Sequence, residues 1–176
     1  LTGLSAAIPG KPVVVLFGTT DVTAVILKAA ESLDLVSKFT WIAGSVGGDA
    51  NTLLALGVKS ATITGVMAAS FFPDAKDSAD EYVSQFMKIN EKYNKGVSFD
   101  NIVLQGMNSA MLTVQALRAA GKNLTRTGLI NAVQDKGAKF ASAGLVPLNY
   151  SATSHVGYNG SVSYTHLRAH ETDSYL

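Results

Sequence analysis

The sequence predicts an α/β fold built on a parallel sheet, and three observations carry that reading. Val13 to Phe17 is a β-branched apolar run closed by Gly18-Thr19-Thr20. A segment with apolar residues at helical spacing follows it, and the pattern then starts again with Phe39 to Ala43 and the glycine-rich turn Gly44-Ser45-Val46-Gly47-Gly48-Asp49. Strands that alternate with helices belong to parallel sheets, because parallel neighbours need a crossover connection long enough to hold a helix.

Val13 to Phe17 has the continuous apolar character of a central strand buried on both faces. Thr20 or Asp21 can cap the next helix, in which Val22, Val25, Ile26, Ala29, Ala30 and Leu33 are spaced to cover the sheet. A short helix is expected from Asn51 to Leu56. A third extended run is expected over Thr62 to Ser70, closed by Phe71-Phe72-Pro73. Beyond Asp74 the pattern turns helical. Ala79, Tyr82, Val83, Phe86, Ile89 and Tyr93 share one face, and Asn101 to Ala120 forms a long helix stopped by Gly121. A third helix runs from Thr127 to Lys136, and Gly144 to Tyr150 and Val156 to Tyr158 read as short strands around a polar turn.

Composition narrows the function. The 176 residues are 47% hydrophobic and 15% charged, against about 25% charged in an average soluble protein, and the formal net charge is +1. No basic cluster marks a nucleic-acid surface, and no apolar run approaches the roughly 18 residues of a membrane span. The absence of cysteine removes disulfides, thiolate metal sites and cysteine nucleophiles. The glycine-rich turn lacks both GxGxxG spacing and a Lys-Ser/Thr ending, so a nucleotide cofactor is not expected. His155 lies in a polar turn with no GxSxG elbow, which argues against an enzyme. Trp41 is expected in the core rather than as a stacking platform, and the Phe71-Phe72 pair as a core contact or a hinge contact at a chain crossover.

In open parallel sheets, ligands bind beyond the carboxyl ends of the strands. Two segments fall there, Gly18 to Asp21 and Gly44 to Asp49, and their Thr, Ser and Asp side chains suit a polar ligand. Thr20 or Asp21 serves equally well as a helix cap. From Val162 the text changes style, and Val162 to Leu176 is similar to one reading frame of a transposase-type sequencing adapter, so residues 162–176 are expected to be a non-native tail. The His166, His170 and Glu171 spacing is therefore not taken as a metal site.

Val13 to Phe17, Lys38 to Ser45, the Gly65 to Pro73 segment and Gly144 to His155 together resemble the second half of the type I periplasmic solute-binding proteins, in particular the branched-chain amino-acid and amide-binding group of ABC importers. That resemblance implies an incomplete fold of two Rossmann-like lobes with parallel sheets. Residues 1–70 would be part of the C-terminal lobe, 71–143 helices of the N-terminal lobe, and 144–161 a hinge return. It implies a periplasmic or cell-surface protein, its export signal not in this sequence, that closes two lobes on a small polar ligand such as an amino acid or amide and delivers it to an ABC permease in the membrane. A ligand-sensing ectodomain with the same fold is the alternative. The binding positions would map to Thr19, Thr20, Asp21 and Ser45. Amino-acid binders of this group usually carry an acid where Ser45 stands, so either Asp21 or Asp49 supplies the countercharge or the ligand is not an α-amino acid.

Overall fold

The computed structural model describes residues 2–122 and 124–165, which form two compact units. One unit holds the chain up to Ser70 together with the strand that starts at Val162, and the other holds Phe71 to Ser161.

The first unit contains α1 (Thr2–Ala7), β1 (Val13–Leu16), α2 (Thr20–Ser32), β2 (Thr40–Ala43), α3 (Ala50–Ala55), α4 (Ser60–Ile63) and β3 (Met67–Ser70), and β4 (Val162–Thr165) completes it. The sheet order is β1-β2-β3-β4, with β1, β2 and β3 parallel and β4 antiparallel on the β3 edge. Strands that succeed one another in a single direction, joined by right-handed crossovers, place all their helices on one face. The core lies on that face: Leu27 and Ala30 of α2, Leu53 of α3 and Ile63 of α4 pack with Leu16, Trp41 and Ala43.

This arrangement corrects three expectations. β1 is an edge strand, not a central one, and alternates: Leu16 is buried while Val13 and Val15 are 58% and 48% exposed on the other face. The expected stripe of α2 holds for Ala30, which is buried, and Ile26, which packs on the core, but Thr23, Ala24 and Leu27 complete it, whereas Val22, Val25 and Leu33 face outward. Small residues let the helix axis approach the sheet, so side-chain size, not apolarity alone, decides which stripe turns inward. The run from Thr62 is not extended from its start. One helical turn, α4, ends there, and Gly65 (φ 85°) reverses the chain into β3.

Trp41 belongs to the core, with its ring 5.7 Å from that of Phe39 and its indole N–H donating to Val36 O at 2.9 Å. β4 pairs Val162 with Ser70 and Ala68 with Tyr164. Main-chain pairing on an open edge needs only an extended segment, whatever its origin. The remainder of the expected tail, with His166, His170 and Glu171, lies outside the described residues.

Glu31, at the end of α2, fastens that helix to the start of α4. Burial works against its charged form. The Thr62 hydroxyl and the Lys59 backbone N–H (3.0 Å) donate to it, with the ammonium groups of Lys59 and Lys28 nearby, and together they hold its carboxyl below the ordinary 4.5. The Lys59 ammonium is 4.0 Å away on a side chain that is 75% exposed, so the ion pair itself contributes little.

The second unit contains α5 (Glu81–Tyr93), α6 (Asn101–Ala120) and α7 (Arg126–Lys136). Each begins at a capping side chain: Asp80 accepts from Val83 N at 2.9 Å, Asp100 from Val103 N at 2.8 Å, and Thr125 from Gly128 N at 3.0 Å. Gly121, at φ 76°, ends α6 as expected. Phe72, Ala75, Val83, Phe86, Leu104 and Ala143 form its core. The strands expected between Gly144 and Tyr158 reduce to two isolated antiparallel bridges, Leu148 with Tyr158 and Ser151 with Ser154. Side chains hold this segment instead of a ladder. Tyr158 lies against Phe71 and Phe72 with ring separations of 5.2 and 5.4 Å, and its hydroxyl bonds Ser142 and accepts from Asn108 Nδ2 at 2.9 Å. Asn108, 1% exposed, also accepts from Ala143 N at 2.8 Å.

Two outcomes are expected. A lowered carboxyl pKa stabilises the folded state fully above the unfolded value and loses that contribution as pH falls through the folded one. The stability difference between the parent chain and Glu31→Gln should therefore be largest near neutrality and shrink as the pH drops below about 4.5, measured by urea unfolding at a series of pH values. Asn108→Ala leaves the Ala143 N–H buried without a partner and should cost about 1–3 kcal/mol in the same assay.

Candidate functional site

Pairing of Leu16 with Ala43 brings the ends of β1 and β2 level, so the two turns that leave them start side by side. The ladder continues one step beyond the strands, with Gly44 N donating to Leu16 O at 3.0 Å. Thr20 is the first residue of α2, and its Oγ1 donates to Val46 O in the other turn at 2.8 Å. The two loops predicted to meet a ligand are thus bonded to each other.

Their closeness explains two glycines. A Cβ built on Gly47 would stand 2.6 Å from Gly18 O and 2.6 Å from Thr23 Oγ1, and one on Gly48 would stand 2.7 Å from Ala68 Cβ. Neither residue has a positive φ. They are needed because there is no room for a side chain, not for a special backbone conformation. Thr23 Oγ1, beneath this contact, is buried without a hydrogen-bond partner.

The predicted site residues fall as follows. Thr19, not Thr20 or Asp21, occupies the cap position of α2, and it makes no side-chain cap bond. Its hydroxyl instead donates to the Asp21 carboxylate, and this bond, followed by those from the Val22 and Asp21 backbone N–H groups, holds the Asp21 carboxyl below its ordinary 3.8. Asp21 is therefore a full carboxylate near neutrality, on an exposed position. Ser45 is also exposed, next to the Val46 whose carbonyl Thr20 engages. Asp49 is committed elsewhere: its Oδ1 accepts from Thr52 N at 2.7 Å and caps α3. Of the two acids expected to compensate for Ser45, Asp21 is the one the fold leaves at the surface.

Sequence reading missed Gly47 and the Val46 carbonyl as parts of this site. The Gly47-Gly48 pair was the available signal, but its purpose depends on how near Gly18 comes. His155 is exposed, with its ring 3.4 Å from the Gln134 amide, and takes no part. Among the described residues no three His, Asp or Glu side chains gather as a metal site, and no helix is long and apolar enough to cross a membrane. A hollow of about 520 Å³ lies at the opposite, amino ends of the strands, lined by Lys11, Thr40, Lys59, Thr62 and Gly65, with Glu31 already bonded into its wall.

Gly47→Ala must push the second loop off Gly18 and Thr23 and break the Thr20–Val46 bond. We expect it to cost about 1–3 kcal/mol by urea unfolding and to shift the backbone amide resonances of residues 18–21 and 44–49 together, because the loops are joined.

A family model described as a periplasmic binding protein matches residues 6–162. No curated protein matches the chain in sequence. Among solved structures, it is similar to a possible leucine/isoleucine/valine-binding protein from Rhodopirellula baltica, with a TM-score of 0.72 and 16% identity over 86% of this chain and 39% of that one. It is similar also to a leucine-binding protein from Thermotoga maritima (TM-score 0.59, 21% identity, 78% of this chain and 37% of that one). A fatty acid ABC transporter substrate-binding protein from Thermomonospora curvata aligns with a TM-score of 0.69 and 22% identity, over 92% of this chain and 41% of that one. The chain spans about two fifths of the length of these structures. Its parallel-dominated sheet is that of the type I periplasmic binding fold, and the chain belongs to the periplasmic binding protein family.

Proposed function

We propose that this chain is part of an extracytoplasmic solute-binding protein that captures a small polar molecule and delivers it to the membrane permease of an ABC importer. The observation that carries the reading is the joined pair of loops at the carboxyl ends of β1 and β2, presenting Thr19, Thr20, Asp21 and Ser45 at the place where open parallel sheets take ligands. Family membership supports it.

The similar structures are named for ligands as different as leucine and a fatty acid, so the solute follows from this chain's own loops and not from theirs. One ionised carboxylate beside three hydroxyls suits a ligand with an amino or amide group, such as an amino acid or an amide. The test is isothermal titration of the full-length protein with amino acids, amides, short carboxylates and fatty acids. Saturable binding of an amino acid or amide, weakened by Thr20→Val, is the expected result. A folded full-length protein that binds none of the four classes would overturn the reading.

A further inference from the structure

Asn159 is the one asparagine of the sequence that is followed by glycine. An asparagine amide carbon and the next residue's main-chain nitrogen can close a five-membered ring. Closure needs a nitrogen that is not hydrogen-bonded, no Cβ on the following residue to crowd the attack, and a backbone free to rotate. Asn159-Gly160 meets all three conditions. Both residues are exposed and lie outside every helix and strand. Among the described residues, neither the Gly160 N–H nor the Asn159 side-chain amide has a hydrogen-bond partner. The other described asparagines are held. Asn51, Asn101, Asn108 and Asn131 lie within helices, and the amides of Asn90, Asn94 and Asn149 donate to Val97 O, Asn90 Oδ1 and Ser154 Oγ at 2.7, 3.0 and 3.2 Å.

We infer that Asn159-Gly160 is a site of spontaneous modification, at which the folded protein deamidates through a cyclic imide to aspartyl and isoaspartyl products. The Gly160 nitrogen loses its proton and bonds to Asn159 Cγ, the Cγ–Nδ2 bond breaks, and the departing amide nitrogen carries the proton away as ammonia. Water then opens the ring. Breaking the new Cγ–N bond gives aspartate, and breaking the original peptide C–N bond gives isoaspartate. One water enters and one ammonia leaves, with no oxidant, metal or enzyme required. The place of the site in the chain gives the products their effect. Tyr158 is fixed by Phe71, Phe72 and the Asn108 amide, and Val162 is fixed by its pairing with Ser70. Residues 159–161 link these two points, and the chain passes from one compact unit into the other at their end. The isoaspartyl product inserts a methylene into the main chain of this short link, and either product adds a negative charge.

The test is to incubate the folded full-length protein in mildly alkaline buffer, with a urea-unfolded sample beside it, and to map the peptides of both by mass over time. The peptide holding Asn159 should gain about 1 Da ahead of every other asparagine peptide. Its rate in the folded protein should lie within about twofold of the unfolded rate, because no local structure must open first. Both aspartyl and isoaspartyl forms should appear, the latter read by its acceptance of a methyl group from an isoaspartyl carboxyl methyltransferase. Asn159→Gln should abolish the gain. Gly160→Ala should slow it, since the added Cβ crowds the attacking nitrogen while standing 3.3 Å from Val146 Cγ1. An Asn159 that stays intact in the folded protein while the unfolded chain converts it overturns the inference. So does an aspartyl product with no isoaspartyl form beside it, or earlier conversion at another asparagine of the folded protein.

Discussion

Parallel pairing of β1 with β2, from Val13 opposite Thr40 to Leu16 opposite Ala43, is the interaction on which the first unit depends. It sets the ends of two strands level, so each loop leaves its strand beside the other with the same chain direction. It also requires a crossover, and α2 supplies one whose buried stripe is made of small side chains near its start. Loop contact, helix approach and sheet register are therefore one geometric solution. The Gly47 backbone can lie on Gly18 because Thr23 and Ala24 have brought α2 close beneath it.

The second unit holds its segments together by different means. Three capped helices surround a small apolar core, and the irregular stretch after α7 has almost no ladder to stabilise it. Asn108 replaces that ladder. Its one side chain satisfies the Ala143 N–H and the Tyr158 hydroxyl, which fixes two positions far apart in sequence on one helix. Buried polar groups cost free energy unless paired, and here the pairing specifies which loop lies where.

Elements whose signals are local were legible in the sequence. β1 was visible from its β-branched run and α6 from its period and Gly121, because propensity, spacing and stop residue agreed. The two candidate loops were visible for the same reason. What was hidden depended on neighbours in space. The edge position of β1, and with it the exposure of Val13 and Val15, follows from the order of strands and not from their composition. The inward stripe of α2 was read in part: Ala30 and Ile26 do meet the core, but Thr23 and Ala24, which carry little hydrophobic signal yet permit close packing, and Leu27 turn inward in place of Val22, Val25 and Leu33. Asp21 and Asp49 look alike as loop acids, and only the bond from Thr52 N shows that one of them is a cap.

The outer edge of β3 has a practical consequence for handling the protein. It accepts Val162 to Thr165 in antiparallel register through main-chain groups, a mode of pairing that is indifferent to side-chain identity. Any affinity tag or linker fused shortly after Ser161 can occupy the same groove of backbone donors and acceptors, as can a strand from another molecule at high concentration. A proline or a pair of lysines early in such an appendage would keep it off the sheet.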